Sequence, residues 1–493
     1  MQKHTASDKS RKKKKRRGRK TTTSRSSSSS SSYSSSSSSS SWQQQGHQQH
    51  KKKQMMPTLI ALLLLVVVVP LPARLGASVS PRRMARIQSH LERINKPASL
   101  DGGDTIDCVA AHSQHGLEHP LLKEHTIQTE PPRFPTRRAA AGADDADDMT
   151  TTTATTTTTT TTKSRWGAWQ TWHHGGHCPP GTVAIRRTTA EDVLRATSIS
   201  RFGRKKRTSL PRAANAPDVI SGNGHEATAS PVVDLTEWLL HTAFTIYCPP
   251  QPVYGAKATI NVWDPAIQES NGFSLSQIWI LSGSFNGSDL NSIEAGWQVS
   301  PELYGDSRPR LFTYWTSDAY EATGCYNALC PGFVQTSSRI AIGAAISPVS
   351  EAGGAQYDMT LLVWKDPKLG NWWLSYGDQL VGYWPAQLFT HLSDHATMVE
   401  WGGEVVDTRP GGVHTATQMG SGRFAAEGFA RASYFRNLET VDADNSLAEV
   451  PLEAIQTLAE DAACYDIRKA YDHQGGWGTH FYYGGPGHNP ACP

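Results

Sequence analysis

Two short segments of this chain set glutamates beside tryptophan and glycine: Ser292-Ile293-Glu294-Ala295-Gly296-Trp297 and Glu400-Trp401-Gly402-Gly403-Glu404-Val405. An apolar wall can hold a carboxylic acid protonated near neutral pH, and glycine lets a substrate backbone come close. Two carboxyl groups in one cleft can divide the work of amide hydrolysis. The ionised one takes a proton from water; the protonated one polarises the carbonyl or protonates the leaving nitrogen. Mutual repulsion raises one of the two pKa values, so such a pair works best in acid. A further donor has to hold the oxyanion, and Gln298 and Tyr314 are the candidates near the first motif. The competing reading is that Glu294 and Glu404 are solvent-facing strand residues among 44 acidic residues, which is where glutamate usually sits. In a strand, Glu400 would share a face with Glu404 two pleats away, so only one of them can enter a dyad. The Gly-Gly step before Glu404 favours Glu404.

Short β-rich runs have to position these residues. From Tyr254 onward they recur at 258–263, 276–281, 295–299, 310–315, 340–346, 357–364, 371–376 and 433–435, separated by turn signals such as Asn271-Gly272 and Asp366-Pro367. This spacing predicts an all-β domain, a sandwich or a barrel. Residues 385–392 are the best short helix in it. Ten of the 15 tryptophans fall here, more than a core needs, so some are expected to line a cleft.

The N-terminal half reads differently. Residues 1–54 are a basic, Ser-rich and Gln/His-rich tract that can form no core. Lys51 to Lys53, the apolar run 59–69 and the small residues Leu75-Gly76-Ala77 have the shape of a secretory signal peptide over 55–77. The rival reading of the basic run, a nuclear signal, fits this hydrophobic segment poorly. The net charge of +4 is concentrated outside the β-rich part, which carries no basic stripe, so no nucleic-acid partner is expected. Residues 82–96 predict a basic amphipathic helix, 105–109 and 178–188 strands, and 189–195 a second helix. Together they make a small α+β domain interrupted by a low-complexity insert at 136–164. The tetrabasic run Arg204-Lys205-Lys206-Arg207 is a natural processing site in a secreted protein. Asn286-Gly287-Ser288 is a glycosylation sequon. Of the seven cysteines, Cys325 and Cys330 suit a small loop disulfide and Cys464 and Cys492 would tie back the tail. Cys108 and Cys178 lie upstream, and Cys248 is the odd one. His173-His174-Gly175-Gly176-His177-Cys178 has zinc-ligand chemistry, but without a second cluster it reads as a loop; neither metal nor cofactor is expected.

Several motifs, taken in order, resemble the plant neprosin family. They are Tyr254-Gly255-Ala256-Lys257-Ala258-Thr259-Ile260-Asn261-Val262-Trp263, Ile293-Glu294-Ala295-Gly296-Trp297, Gly324-Cys325-Tyr326-Asn327, Trp401-Gly402-Gly403-Glu404-Val405, Thr417-Gln418-Met419-Gly420-Ser421-Gly422 and Phe481-Tyr482-Tyr483-Gly484-Gly485-Pro486-Gly487. Upstream, Asn95-Lys96-Pro97, Ile106-Asp107-Cys108 and His119-Pro120-Leu121-Leu122 look like that family's activation peptide. The resemblance implies a secreted glutamic endopeptidase made as a zymogen, with its propeptide at 78–225 as its own inhibitor and an all-β catalytic domain at 254–493, an antiparallel β-sandwich of two sheets. Glu294 and Glu404 would be its dyad, peptides or proteins its substrates, and the apoplast or vacuole its place; a characterised member cleaves after proline. The alternative is a catalytically inactive or carbohydrate-binding cell-wall β-sandwich. Residues 226–253 depart from the family pattern. They read as an insertion or retained intron, expected to displace the first strand of the catalytic sheet.

Overall fold

The computed structural model describes residues 79–95, 99–101, 104–137, 169–205, 239–284, 288–407, 413–472 and 476–493. The signal peptide, most of the low-complexity insert, Lys206-Arg207 and the first two residues of the sequon lie outside them.

The activation segment begins with a helix, Pro81–Ile94, capped by the Ser80 side chain and burying Ile87, Leu91 and Ile94 at helical spacing. Its strands Ser99–Asp101, Thr105–Ala110 and Thr182–Arg186 form a small antiparallel sheet. The predicted second helix is Ala190–Arg195, closed by a Thr189/Asp192 capping box. A Cys108–Cys178 disulfide ties this segment together. Cys325–Cys330 and Cys464–Cys492 are bridged as well, and Cys248 is free.

The rest is a two-sheet sandwich. One sheet runs in the spatial order 325–326, 310–316, 291–299, 273–282, 398–407, 239–247 and 456–459, antiparallel throughout. A larger sheet built on Gly255–Asn261, Asp358–Lys365 and Ser433–Val441 packs against it. All nine residues of Asn291–Val299 and nine of the ten in Met398–Asp407 are buried. The polar–apolar alternation of these strands therefore separates two buried faces rather than core from solvent. One face carries Ile293, Ala295, Trp297, Trp401 and Val405 into the core between the sheets, and the Trp297 indole donates to the Asn261 carbonyl across it at 2.8 Å. The opposite face carries both glutamate motifs.

Three expectations need correcting. The described part of the 226–253 segment does not displace a strand of the catalytic sheet; it is one. Leu239–Tyr247 pairs with the whole length from Val399 to Asp407, from Val399↔Tyr247 to Asp407↔Leu239. Its β-branched and aromatic run, Thr-Ala-Phe-Thr-Ile-Tyr, is good strand sequence. At 340–346 only Ile346 is in a strand; the run is buried in irregular form, with Gly343 at φ +86° and the Ala341 N–H given to Gln170 of the activation segment. The predicted helix at 385–392 is a single 3-10 turn, Ala386–Leu388.

Candidate active site

Antiparallel register fixes where the two glutamates stand. Glu294 lies opposite Trp279, and Trp279 lies opposite Glu400. One pleat further, Gly296, Gln277 and Gly402 form the next row, and a further pleat brings Leu275 opposite Glu404. Glu294 and Glu404 therefore sit at opposite corners of a patch three strands wide and two pleats long, with Gln277 at its centre. Backbone spacing alone separates those corners by about 10 Å across and about 13 Å along. The glycines on either side of Gln277 leave the space over which the two long side chains lean together. The next residue, Gly403, is small for a different reason: it faces the other sheet, where a Cβ would come within 2.8 Å of Met419 and Tyr483.

What joins the carboxylates is a lysine of the activation segment. Lys205 Nζ lies 3.3 Å from Glu294 Oε2, 3.3 Å from Glu404 Oε2 and 3.2 Å from Glu404 Oε1. One nitrogen touching both groups puts them within the separation that a single bridging water spans. The lysine side chain is 7 % exposed and its two partners 0 and 2 %. Its ammonium also stands over the rings of Trp279 and Tyr320, at 5.3 and 5.5 Å. The backbone around it is anchored: the Lys205 N–H donates to the Tyr314 hydroxyl, the Tyr326 N–H to the Gly203 carbonyl, and the Arg204 guanidinium to the Ala322 carbonyl. Gly203, at φ +76°, lets the segment pass where a Cβ would meet Leu329 at 2.9 Å and Cys330 Sγ, half of the loop disulfide, at 3.3 Å. The expected processing site is thus not an open basic loop at Lys205. Its second residue fills the cleft.

Each glutamate has further partners. Glu294 Oε1 accepts from the Tyr320 hydroxyl at 2.8 Å and from Ser292 Oγ at 3.1 Å. Glu404 Oε2 also accepts from Gln277 Nε2 at 3.4 Å. Burial pushes Glu404 above the usual glutamate value, with Lys205 pulling the other way. Burial works against the Lys205 charge too, but Glu294 and Glu404 outweigh it and hold the ammonium well above its ordinary value. Burial, then the Glu294 charge, lifts the Tyr320 phenol far out of the physiological range, so it is a donor at any working pH.

Of the residues singled out in the sequence, Glu294, Glu404 and Tyr314 converge at the site. Gln298 does not: its Oε1 accepts from Tyr304 at 3.3 Å. Glu400 faces the same cleft but no contact joins it to Lys205. Sequence reasoning missed Gln277, Ser292, Tyr320 and Lys205. For Ser292 a signal existed, since i−2 from Glu294 in a strand is the same face. The zinc-like segment lacks its thiolate, Cys178 being disulfide-bonded, and the His173 ring is bonded to the Arg339 carbonyl.

Comparison with known proteins places both parts of the chain. A family model described as Neprosin matches residues 270–486, and one described as Neprosin activation peptide matches 98–230; together they take in well over half of the sequence. Among solved structures, the chain is similar to scytalido-glutamic peptidase bound to a peptide-based transition state analogue, at 13 % identity and a TM-score of 0.27, covering 51 % of this chain and 98 % of that one. It is also similar to SCP-B of the eqolisin peptidases in complex with the tripeptide Ala-Ile-His, at 13 % identity and 0.26, covering 50 and 97 %. A homodimeric agglutinin from chicken liver matches at 10 % identity and 0.18, over 35 and 97 %.

Proposed function

The chain belongs to the neprosin family of glutamic peptidases and carries that family's activation peptide, and we propose that it is the latent form of a secreted endopeptidase that works in acid through Glu294 and Glu404. The observation that carries this reading is the single ammonium group held between the two carboxylates, where a substrate carbonyl and a water would have to stand. With Lys205 withdrawn, that space takes a water and the scissile amide. Glu294, oriented by Tyr320 and Ser292, is the base: it takes a proton as the water oxygen bonds to the carbonyl carbon. Glu404, whose burial favours the neutral form, is the acid. It first shares its proton with the carbonyl oxygen and then gives it to the amide nitrogen as the C–N bond breaks, leaving a carboxylic acid and an amine. The loss of Lys205 removes the charge that opposes Glu404 protonation, so the mature site is better poised for acid catalysis than the latent one. The hydroxyl of Tyr314, released from the Lys205 N–H, and Gln277 are the neutral donors nearest the developing oxyanion.

Secretion is supported by the signal-like 55–77 segment and by three disulfides, which persist in oxidising compartments; the apoplast is the proposed location, with the vacuole as the acidic alternative. Cleavage after proline is carried over from the family resemblance. The test is Lys205→Met in the full chain, assayed against a quenched peptide at pH 4–5 with the activation segment still covalently attached. Hydrolysis should appear without processing, where the parent chain needs processing first. Equal latency in both chains would show that Lys205 is not the plug.

A further inference from the structure

Glu400 has no part in the proposed dyad, yet it is nearly as deeply buried as its members, at 4 % exposure. Its carboxyl has no hydrogen-bond or ion-pair partner among the described residues; its neighbours in charge are Glu294 and Glu404. It lines a recess of about 210 Å³, open mouth included. Glu404 stands two pleats along the same strand, Gly402 contributes no side chain between them, Phe244 walls one flank, and Trp279 and Gln277 wall the other.

The donors and acceptors of this recess define what fits it. Burial, and then the charges of Glu294 and Glu404, push Glu400 up to about 8. Through the acid range it is therefore a neutral carboxyl, one donor and one acceptor side by side. Apart from Glu404 Oε1, ion-paired to Lys205, and the Thr242 hydroxyl, which engages Glu460, two other polar atoms of lining residues are buried without a partner among the described residues: the Trp279 indole N–H, a donor, and Gln277 Oε1, an acceptor. A cation would leave both donors unmatched. A carboxylate would leave the acceptors unmatched and face Glu404. An aliphatic group would leave all of them dry, a cost of the kind by which polar subsites reject apolar analogues. A primary carboxamide presents one acceptor and two donors in a plane and closes a two-bond ring with a neutral carboxyl.

We propose that the recess is a substrate subsite for the carboxamide side chain of glutamine or asparagine, and that Glu400 is its specificity-determining residue. The inference rests on the peptidase reading above. It is tested with the acid-activated full chain and quenched peptides that differ only in carrying Gln, Leu, Glu or Lys at each position around the cleaved bond. At one position, kcat/KM for the Gln peptide should exceed that for the Leu peptide by roughly tenfold or more. Glu400→Leu should collapse that ratio, and Glu400→Gln, which can still form the paired ring, should keep most of it. Equal rates at every position, or a ratio that Glu400→Leu leaves intact, would overturn the assignment. Binding of the same labelled peptides to a full chain carrying Lys205→Ala and Glu294→Gln gives a readout that needs no turnover. If no peptide is hydrolysed by the parent chain, the peptidase reading fails, and the Gln-to-Leu binding ratio still decides for or against the subsite.

Discussion

An ammonium group between two carboxylates is held firmly only while both carboxylates are ionised. Lys205 stays charged at every pH of interest, so acid acts on this cluster through Glu404. Glu404 is raised from the glutamate value of 4.5, so its neutral form is the one the fold favours, and acid removes one of the two attachments of Lys205. The same sign applies more strongly at Glu400. With its folded value raised to about 8, its contribution to stability is fully present below 4.5 and is lost as pH rises through 8. Glu460, pushed up to about 7 chiefly by burial, acts in the same direction. Melting temperature is therefore expected to fall between pH 5 and 8, and Glu400→Gln should flatten that fall; an unchanged slope would show that Glu400 does not titrate there. At this scale the sequence carried the glutamates and their tryptophan and glycine neighbours. It could not show Tyr320 or Lys205, which are 26 and 89 residues from Glu294 and reach it only through the folded chain.

Strands put the chemistry in place, and two of them do most of it. Glu404 sits on a strand that is hydrogen-bonded on both sides, by Phe273–Ser282 and by Leu239–Tyr247. A chain lacking 239–247 would leave an apolar strand with an open edge beside the site. It is expected to be insoluble or without cooperative unfolding, as circular dichroism would show; a well-folded product would mean that another segment can take its place. Gly403→Val forces a branched side chain against Met419 and Tyr483 and should cost about 1–3 kcal/mol in a denaturant titration. Most strands were legible from β-branched and aromatic runs between turn signals. The 340–346 run was misread because apolar sequence reports burial rather than conformation, and here the activation segment supplies the hydrogen bonds that a neighbouring strand would. The 239–247 strand was misread because it departs from the family pattern, although its composition suits a sheet.

Among the described residues, an activation segment is locked onto the sheet that carries the two glutamates. Besides Lys205, a charged attachment is Asp104, whose carboxylate takes the Arg310 guanidinium at 2.8 Å and the Ala345 N–H at 2.9 Å. Burial alone would raise Asp104, but Arg310, the Ala345 N–H and Arg186 outweigh it and hold the group below its usual value. Its contribution is present above pH 3.8 and fades as pH falls through the lower folded value, so a segment cut near Lys205 should remain bound at neutral pH and leave in acid. Asp104→Asn is expected to move that release to higher pH in size-exclusion chromatography after cleavage; an unmoved release would place the anchor elsewhere. Latency of this kind was legible only as a basic run and a family pattern, because sequence order does not say that residue 205 ends between residues 294 and 404. The account stands on that convergence. Its most direct test is hydrolysis of a quenched peptide at pH 3–5 by the acid-activated full chain and by Glu294→Gln and Glu404→Gln, each prepared with the segment removed. Each substitution should lower kcat by about a hundredfold or more, whereas near-parental turnover in either would contradict the dyad.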